Sequence, residues 1–268
     1  MPSPLELLLH PVSLVIFALY GGLMLWEALA PGRTLPQVRG WKLKGLAAFT
    51  VFFFLSSYLP LLWDRHLAPY QLFDLSGLGV AGGTVVGLLL YELGVYWWHR
   101  TMHRYDFLWR SFHQLHHSAE RLDTYSAFYT SPLDMAGWTL LGSLTLVVVV
   151  GVVPQAATAI ILLTVFFSIF QHTNIRTPRW LGYFVQRPES HTIHHGKGIH
   201  AFNYSDLPLF DILFGTFRNP EGFQVKTGFY PGASARLLDM LRFVDVSKPP
   251  THPLHESGLK PVSSRPSN

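Results

Sequence analysis

Nine histidines between His99 and His195 are the residues of this sequence best suited to chemistry. They fall in three clusters and a singleton, His99-x-x-x-His103, His113-x-x-His116-His117, His172 and His191-x-x-His194-His195, out of 14 histidines in the whole chain. On a helix, residues three and four apart share a face, so each cluster aims its imidazoles in one direction. Together they predict a metal cage. A structural zinc takes four ligands and a catalytic zinc three plus water, so nine imidazoles suffice for two ions with positions left for a substrate. Imidazole suits iron, zinc, copper and nickel, and residue type alone leaves that choice open.

The elements that must position this cage are membrane spans. The chain has 268 residues, of which 49% are hydrophobic and only 13% charged, too apolar a balance for an ordinary soluble enzyme. Several runs reach the roughly 20 apolar residues that cross a hydrocarbon core. There is no cysteine, which removes disulfides, iron–sulfur clusters, thiolate-ligated haem and cysteine zinc sites. The net charge of +4 is not a nucleic-acid signal, because the basic residues flank apolar runs and no recognition motif is present.

Hydropathy predicts five spans, at about residues 5–29, 45–63, 78–98, 135–153 and 156–170. The opening Met1-Pro-Ser-Pro-Leu-Glu lacks a basic n-region, which reads as a retained anchor. Arg33, Arg39, Lys42 and Lys44 place the first loop in the cytoplasm by the positive-inside rule. Arg100, Arg104, Arg110 and Arg121 place the loop after the third span on the same side. Neither step uses the histidines, yet together they put every cluster at one cytoplasmic membrane face. Gly79, Gly83 and Gly87 form a small-residue seam on the third span. Residues 233–246 read as an amphipathic helix on the bilayer surface, and residues 248–268, with His252 and His255, as a disordered tail.

Two polar features lie inside apolar runs. Glu92 precedes His99 by seven residues and His103 by eleven, which puts it on nearly the same helix face as that pair. A carboxylate at that depth is costly, and it is read either as a residue supporting the metal ligands or touching substrate, or as a partner of a neighbouring helix. Thr164, Ser168 and His172 follow at intervals of four and draw a polar line toward the cage. His10, His66 and His200 are read as non-ligands, with His200 held open because it follows the third cluster closely.

The three clusters, embedded among spans, resemble the fatty acid hydroxylase and sterol desaturase superfamily of membrane di-iron oxygenases. The resemblance continues in Gln171-His-Thr-Asn-Ile175, in Asn203-Tyr204 and in Phe210-Asp-Ile-Leu-Phe-Gly-Thr-Phe217, and covers roughly residues 80–220. It implies a di-iron centre that uses O2 to hydroxylate or desaturate an unactivated C–H of a lipid. The ligands it implies are His99, His103, His113, His116, His117, His172, His191, His194 and His195. Asn203 matches a position near the centre and Asp211 the acid of the closing motif, to which a structural role is assigned. At Ser131-Pro-Leu-Asp134 many sterol-type relatives carry a histidine in place of the serine, a departure that weighs against a sterol substrate.

The resulting expectation is an all-α membrane bundle of four to five spans with a cytoplasmic helical cap. Residues 1–77 supply spans 1 and 2, residues 78–247 the catalytic domain, and residues 248–268 the tail. The substrate is a lipid entering from the bilayer. Each turnover needs two electrons, and the chain has neither a Gly-x-Gly-x-x-Gly fingerprint nor a cluster ligand. An external reductase or small electron carrier is therefore expected, drawn to Arg100, Arg104 and Arg110 by charge. The alternatives are another lipid reaction on the same scaffold, such as ether-lipid cleavage, and a histidine-rich metal transporter. A transporter places ligands near the bilayer midplane on broken helices, whereas these clusters follow the spans.

Overall fold

Pro11 breaks the first apolar run. In the computed structural model, which describes residues 1–249, a short helix Pro4–Leu9 is closed by a Ser3/Glu6 capping box. The membrane helix then restarts at Pro11, whose missing N–H costs nothing at the first helical position. The His10 ring caps that restart by accepting from the Val12 N–H at 3.3 Å. Five helices are long and apolar enough to cross a membrane: Pro11–Leu29, Trp41–Tyr70, Ser76–Arg104, Pro132–Val149 and Pro154–His172, here spans 1 to 5. An isolated bridge between Gly196 and Thr227 is the sole β pairing among the described residues. The described chain is all-helical, as expected. Between 17% and 33% of each span is buried inside the protein, and Leu14, Val51, Val85 and Ile161 face outward, so lipid must supply the rest of the apolar contact.

The spans are longer than hydropathy alone marks them. Span 2 keeps helical hydrogen bonding through Trp41-Lys-Leu-Lys44 and on to Tyr70, and span 3 runs through its histidines, so His99 and His103 occupy its last turns rather than a following loop. Span 4 is capped by Ser131, whose hydroxyl accepts from the Asp134 N–H at 3.1 Å, and ends in a π-helical stretch, Leu144–Val149. Gly83 and Gly87 do form a seam. A Cβ on Gly87 would stand 2.7 Å from Ile160 Cδ1 and one on Gly83 3.3 Å from Ala156 Cβ, so span 5 side chains pack directly onto the span 3 backbone there. Gly79 has no neighbour within 4 Å.

The end of span 1, the start of span 2, the end of span 3, the start of span 4 and the end of span 5 gather at one end of the bundle. Glu27, buried near the end of span 1, accepts from the Thr124 N–H at 2.8 Å and from the Asn174 N–H at 3.0 Å. Trp41 at the start of span 2 donates to Asp123 at 2.9 Å. An aromatic core of Tyr20, Phe49 and Phe128 locks spans 1 and 2 to the 124–131 segment, with Tyr20 and Phe49 centroids 4.4 Å apart. Gly45 makes the tightest approach to backbone, because a Cβ there would run into the Tyr125 carbonyl and its Cβ. Backbone cannot yield as a side chain can, so a Gly45→Ala chain should lose about 1–3 kcal/mol of stability in micellar denaturation.

Residues 106–131 and 173–249 cover that end with short helices and turns. Residues 233–246 depart from the expected continuous helix. They form a turn at Ala233–Ala235 and a helix at Leu237–Leu241, and Met240 and Val246 are buried against Trp41, Leu115 and Tyr129. Leu238, Phe243 and Val244 remain exposed. The segment is thus a packed part of the cap, because Gly232, Phe243 and their positive φ angles break the helix on both sides. The tail reading, with His252 and His255, lies almost wholly outside the described residues.

Candidate metal centre

Five elements deliver the nine rings. Span 3 presents His99 and His103, a π-helical turn Trp109–His113 and the following turn Gln114–His117 present the second cluster, span 5 ends on His172, and the helix Pro188–His194 carries the third. All but His103 are buried. Their ligand atoms gather in two groups, His99, His103, His113, His117 and His194 in one and His116, His172, His191 and His195 in the other, with all atoms of a group within 4.8 Å of one another.

The groups cut across the sequence clusters. A helix turns about 100° per residue, so positions i and i+4 nearly superpose while i+3 and i+4 diverge by a full residue step. His113 and His117 accordingly share a group, and so do His191 and His195. The middle residue of each cluster crosses over: His116 joins the third cluster's pair, and His194 joins the second cluster's pair.

Ring orientation argues for a cation in each group. His99 donates from Nδ1 to the Tyr204 carbonyl at 2.7 Å, His172 to the Ser168 carbonyl at 2.6 Å and His194 to the Phe202 carbonyl at 2.7 Å. His113 donates from Nδ1 to Asp134 at 2.9 Å. Each neutral ring then has only a lone pair at Nε2. Yet His99 and His113 bring Nε2 within 2.9 Å of each other, and His172 Nε2 lies 3.0 Å from His116 Nε2 and 3.1 Å from His191 Nε2. The facing lone pairs of His99 and His113, each of which gives its Nδ1 proton to an acceptor, repel unless a cation lies between them. Two imidazole nitrogens about 2.1 Å from one ion, at right angles, stand about 3 Å apart, the separation seen here. The buried Nε2 atoms of His103, His117 and His194 have no other partner among the described residues. The donor set therefore fits a pair of metal ions.

Burial holds the rings of His113, His116, His117, His191, His194 and His195 well below the ordinary imidazole range, with neighbouring histidines pushing further down. They are neutral at pH 7, the form that ligates. The unfolded chain takes up these protons first as pH falls below about 6.5, so folding stability is complete above that value and drains away beneath it. Metal-free protein should therefore lose stability as pH falls below about 6.5, read as a steep fall in melting temperature between pH 7 and 5.

Asp134, which the sequence marks only as the end of Ser131-Pro-Leu-Asp134, has a role at the cage. It is fully buried and orients His113 in the manner of a carboxylate–histidine–metal relay. Asp134→Ala should weaken metal retention by about 10- to 100-fold in chelator competition. Ser131 also donates to the Phe112 carbonyl at 2.9 Å, which pins the π-helical turn under span 4. No local signal marks Asp134, since its partner is 21 residues away.

Glu92 and Asn203 lie near the cage but bond elsewhere. The Glu92 carboxylate accepts from Ser205 Oγ at 2.9 Å and from the Asp206 and Leu207 N–H groups at 3.0 and 3.1 Å, tying span 3 to the returning chain. Asn203 donates to the Ser190 and Arg218 carbonyls at 2.9 and 3.0 Å and accepts from the Arg218 N–H. Asp211 holds the Tyr204 and Ser205 N–H groups, both at 2.9 Å. A cavity of about 130 Å³ opens from the cage between the spans. His99 and His113 reach it from one group and His116, His172 and His191 from the other, facing Phe52, Val95, Phe128 and Met135. Thr164 and Ser168 line it as their spacing predicts, and Glu92 does not.

The sequence profile described as "Fatty acid hydroxylase" matches residues 84–216, the stretch that supplies all nine histidines. The chain belongs to the fatty acid hydroxylase superfamily. Among curated relatives, the ornithine lipid hydroxylase OlsE of Rhizobium tropici is 33% identical over 141 residues, covering 51% of this chain and 42% of that one. An alkylglycerol monooxygenase of Danio rerio is 29% identical over 143 residues, 51% of this chain and 30% of that one. Its Homo sapiens counterpart is 30% identical over 132 residues, 47% and 28% respectively. The matched stretch of this fatty acid hydroxylase superfamily member thus spans less than half the length of each relative. No solved structure matches the chain.

Proposed function

We propose that this chain is an O2-dependent di-iron oxygenase that hydroxylates an unactivated C–H of a membrane lipid. The observation that carries this reading is the pairing of two Nε2-convergent histidine groups with one apolar cavity that both of them line. The nine histidines are the ligands we assign: His99, His103, His113, His117 and His194 to one iron, and His116, His172, His191 and His195 to the other. When bound, the iron pair supplies reductive activation of O2 and the oxidising power to break a strong C–H bond.

The protein's own share is positioning. Acceptors at Nδ1, Asp134 among them, fix the rings, while Phe52, Val95, Phe128 and Met135 exclude water and hold an acyl or alkyl chain against the cage. The balance is R–H plus O2, two electrons and two protons giving R–OH and water, so a donor outside this chain must deliver the electrons. All described lysines and arginines except Arg65 stand at the cage end of the bundle, which supports a cytoplasmic cage and an acidic docking partner. We assign the catalytic role to residues 78–247, with spans 1 and 2 as the buttress that Glu27 and Trp41 fasten to it.

A second reading, ether-lipid cleavage, draws support from the alkylglycerol monooxygenases among the relatives. Hydroxylation beside an ether oxygen gives a hemiacetal that falls apart, so the two readings share their C–H step and differ in product. Transport is disfavoured because the ligands sit at span ends. The test is lipid profiling of membranes holding the chain or its His194→Ala variant under isotopically labelled O2. Labelled hydroxylipid in the first only is expected, aldehyde release from a supplied alkylglycerol would favour the second reading, and identical extracts would refute both.

A further inference from the structure

One loop serves almost the whole of the five-histidine group from outside. The Tyr204 carbonyl accepts from His99, the Phe202 carbonyl from His194, and the His200 main chain faces the His103 ring. The His200 side chain itself meets His117, Nδ1 to Nδ1, at 3.1 Å. Because His117 Nε2 is buried and pointed into the group, its Nδ1 carries the proton and donates to His200. His113, held by Asp134, is the one member this loop does not reach.

The loop adopts a costly shape to do this. His200, Phe202 and Asn203 have φ of 42°, 70° and 51°, left-handed values that histidine and phenylalanine resist and asparagine tolerates. Asn203 enforces the shape through Ser190 and Arg218, and Trp109 and Phe229 flank the His200 ring with centroids 5.8 and 5.2 Å away. With ordinary φ angles, the same residues would turn these acceptors away from the rings. The four-histidine group has no single loop of this kind: His172 is held by the Ser168 carbonyl of its own helix, the Tyr129 main chain faces His116, and Nδ1 of His191 and His195 is buried without a hydrogen-bond partner among the described residues.

We propose that residues 200–204 form an outer collar of the five-histidine group, and that His200, which belongs to no histidine motif, is a positioning residue for His117. The proposal rests on the metal-centre reading above. It makes the two ions unequal, the collared one being held longer.

The test uses full-length protein in micelles loaded with Co2+, with ion release into excess chelator followed through the cobalt visible bands. Wild type should release its ions in two phases. His200→Gly removes the acceptor and relieves the backbone, so its slow phase should accelerate about 10- to 100-fold while its melting temperature does not fall. His200→Asn keeps an oxygen near the Nδ1 position and tolerates positive φ, so it should restore the slow phase and the wild-type spectrum. A single phase in wild type, an unchanged slow phase in His200→Gly, or no rescue by asparagine would overturn the collar. Protein that takes up no Co2+ would overturn the metal centre itself, and the collar with it.

Discussion

A His172→Ala chain should keep one metal ion and form no oxidised lipid. His172 is the hub of the four-histidine group, with Nε2 3.0 Å from that of His116 and 3.1 Å from that of His191. Without it three rings remain, two of them the neighbours that His172 had held in register. The loss should exceed the 10- to 100-fold drop typical of an outer-sphere change, since a ligand itself is gone. The five-histidine group touches none of these contacts and should stay loaded. Metal analysis of the purified variant beside lipid profiling checks both halves, and a variant holding two ions or retaining product formation would remove His172 from the ligand set.

Arg187→Met should destabilise the protein by about 3–5 kcal/mol, the cost of leaving a buried carboxylate without its cation. The Arg187 side chain is fully buried and sits just ahead of the helix Pro188–His194. Its guanidinium pairs with Glu189 at 3.1 Å and donates to Thr177 Oγ1 at 2.9 Å, the Thr177 carbonyl at 3.0 Å and Asn219 Oδ1 at 2.7 Å. Three segments of the cap, at 177, 187–189 and 219, thus converge on one planar cation. Lysine cannot reproduce that fork, so Arg187→Lys should recover little. A Glu189→Leu change added to Arg187→Met should return part of the loss, because the orphaned charge disappears. Denaturant midpoints in micelles measure all three, and a cost below about 1 kcal/mol for Arg187→Met would contradict the account.

Much of this architecture is written locally. Apolar run length marks all five spans, and the spacing of Thr164 and Ser168 puts them on the cavity as periodicity requires. What the sequence hides are partnerships made by the returning chain. Glu92 shares a helix face with His99 and His103, but a turn more than a hundred residues later, at 205–207, takes up its carboxylate. Asp134, Glu27 and Arg187 likewise find their partners only in three dimensions. The assignment of rings to ions was hidden differently. Spacing contained it, since adjacent histidines on a helix must point about 100° apart, but grouping by motif obscured it.

That exchange of middle residues has a bearing on how such a centre can change over time. Because His116 and His194 each reach into the other cluster's territory, the two binding sites are interlaced like fingers of folded hands. A change in the backbone that carries either cluster therefore reaches both sites, and a one-residue insertion between His113 and His116 would shift a ligand of each at once. The distance between the two groups is then set by the same short turns that supply their ligands, and the lipid-facing walls of the cavity have no part in it.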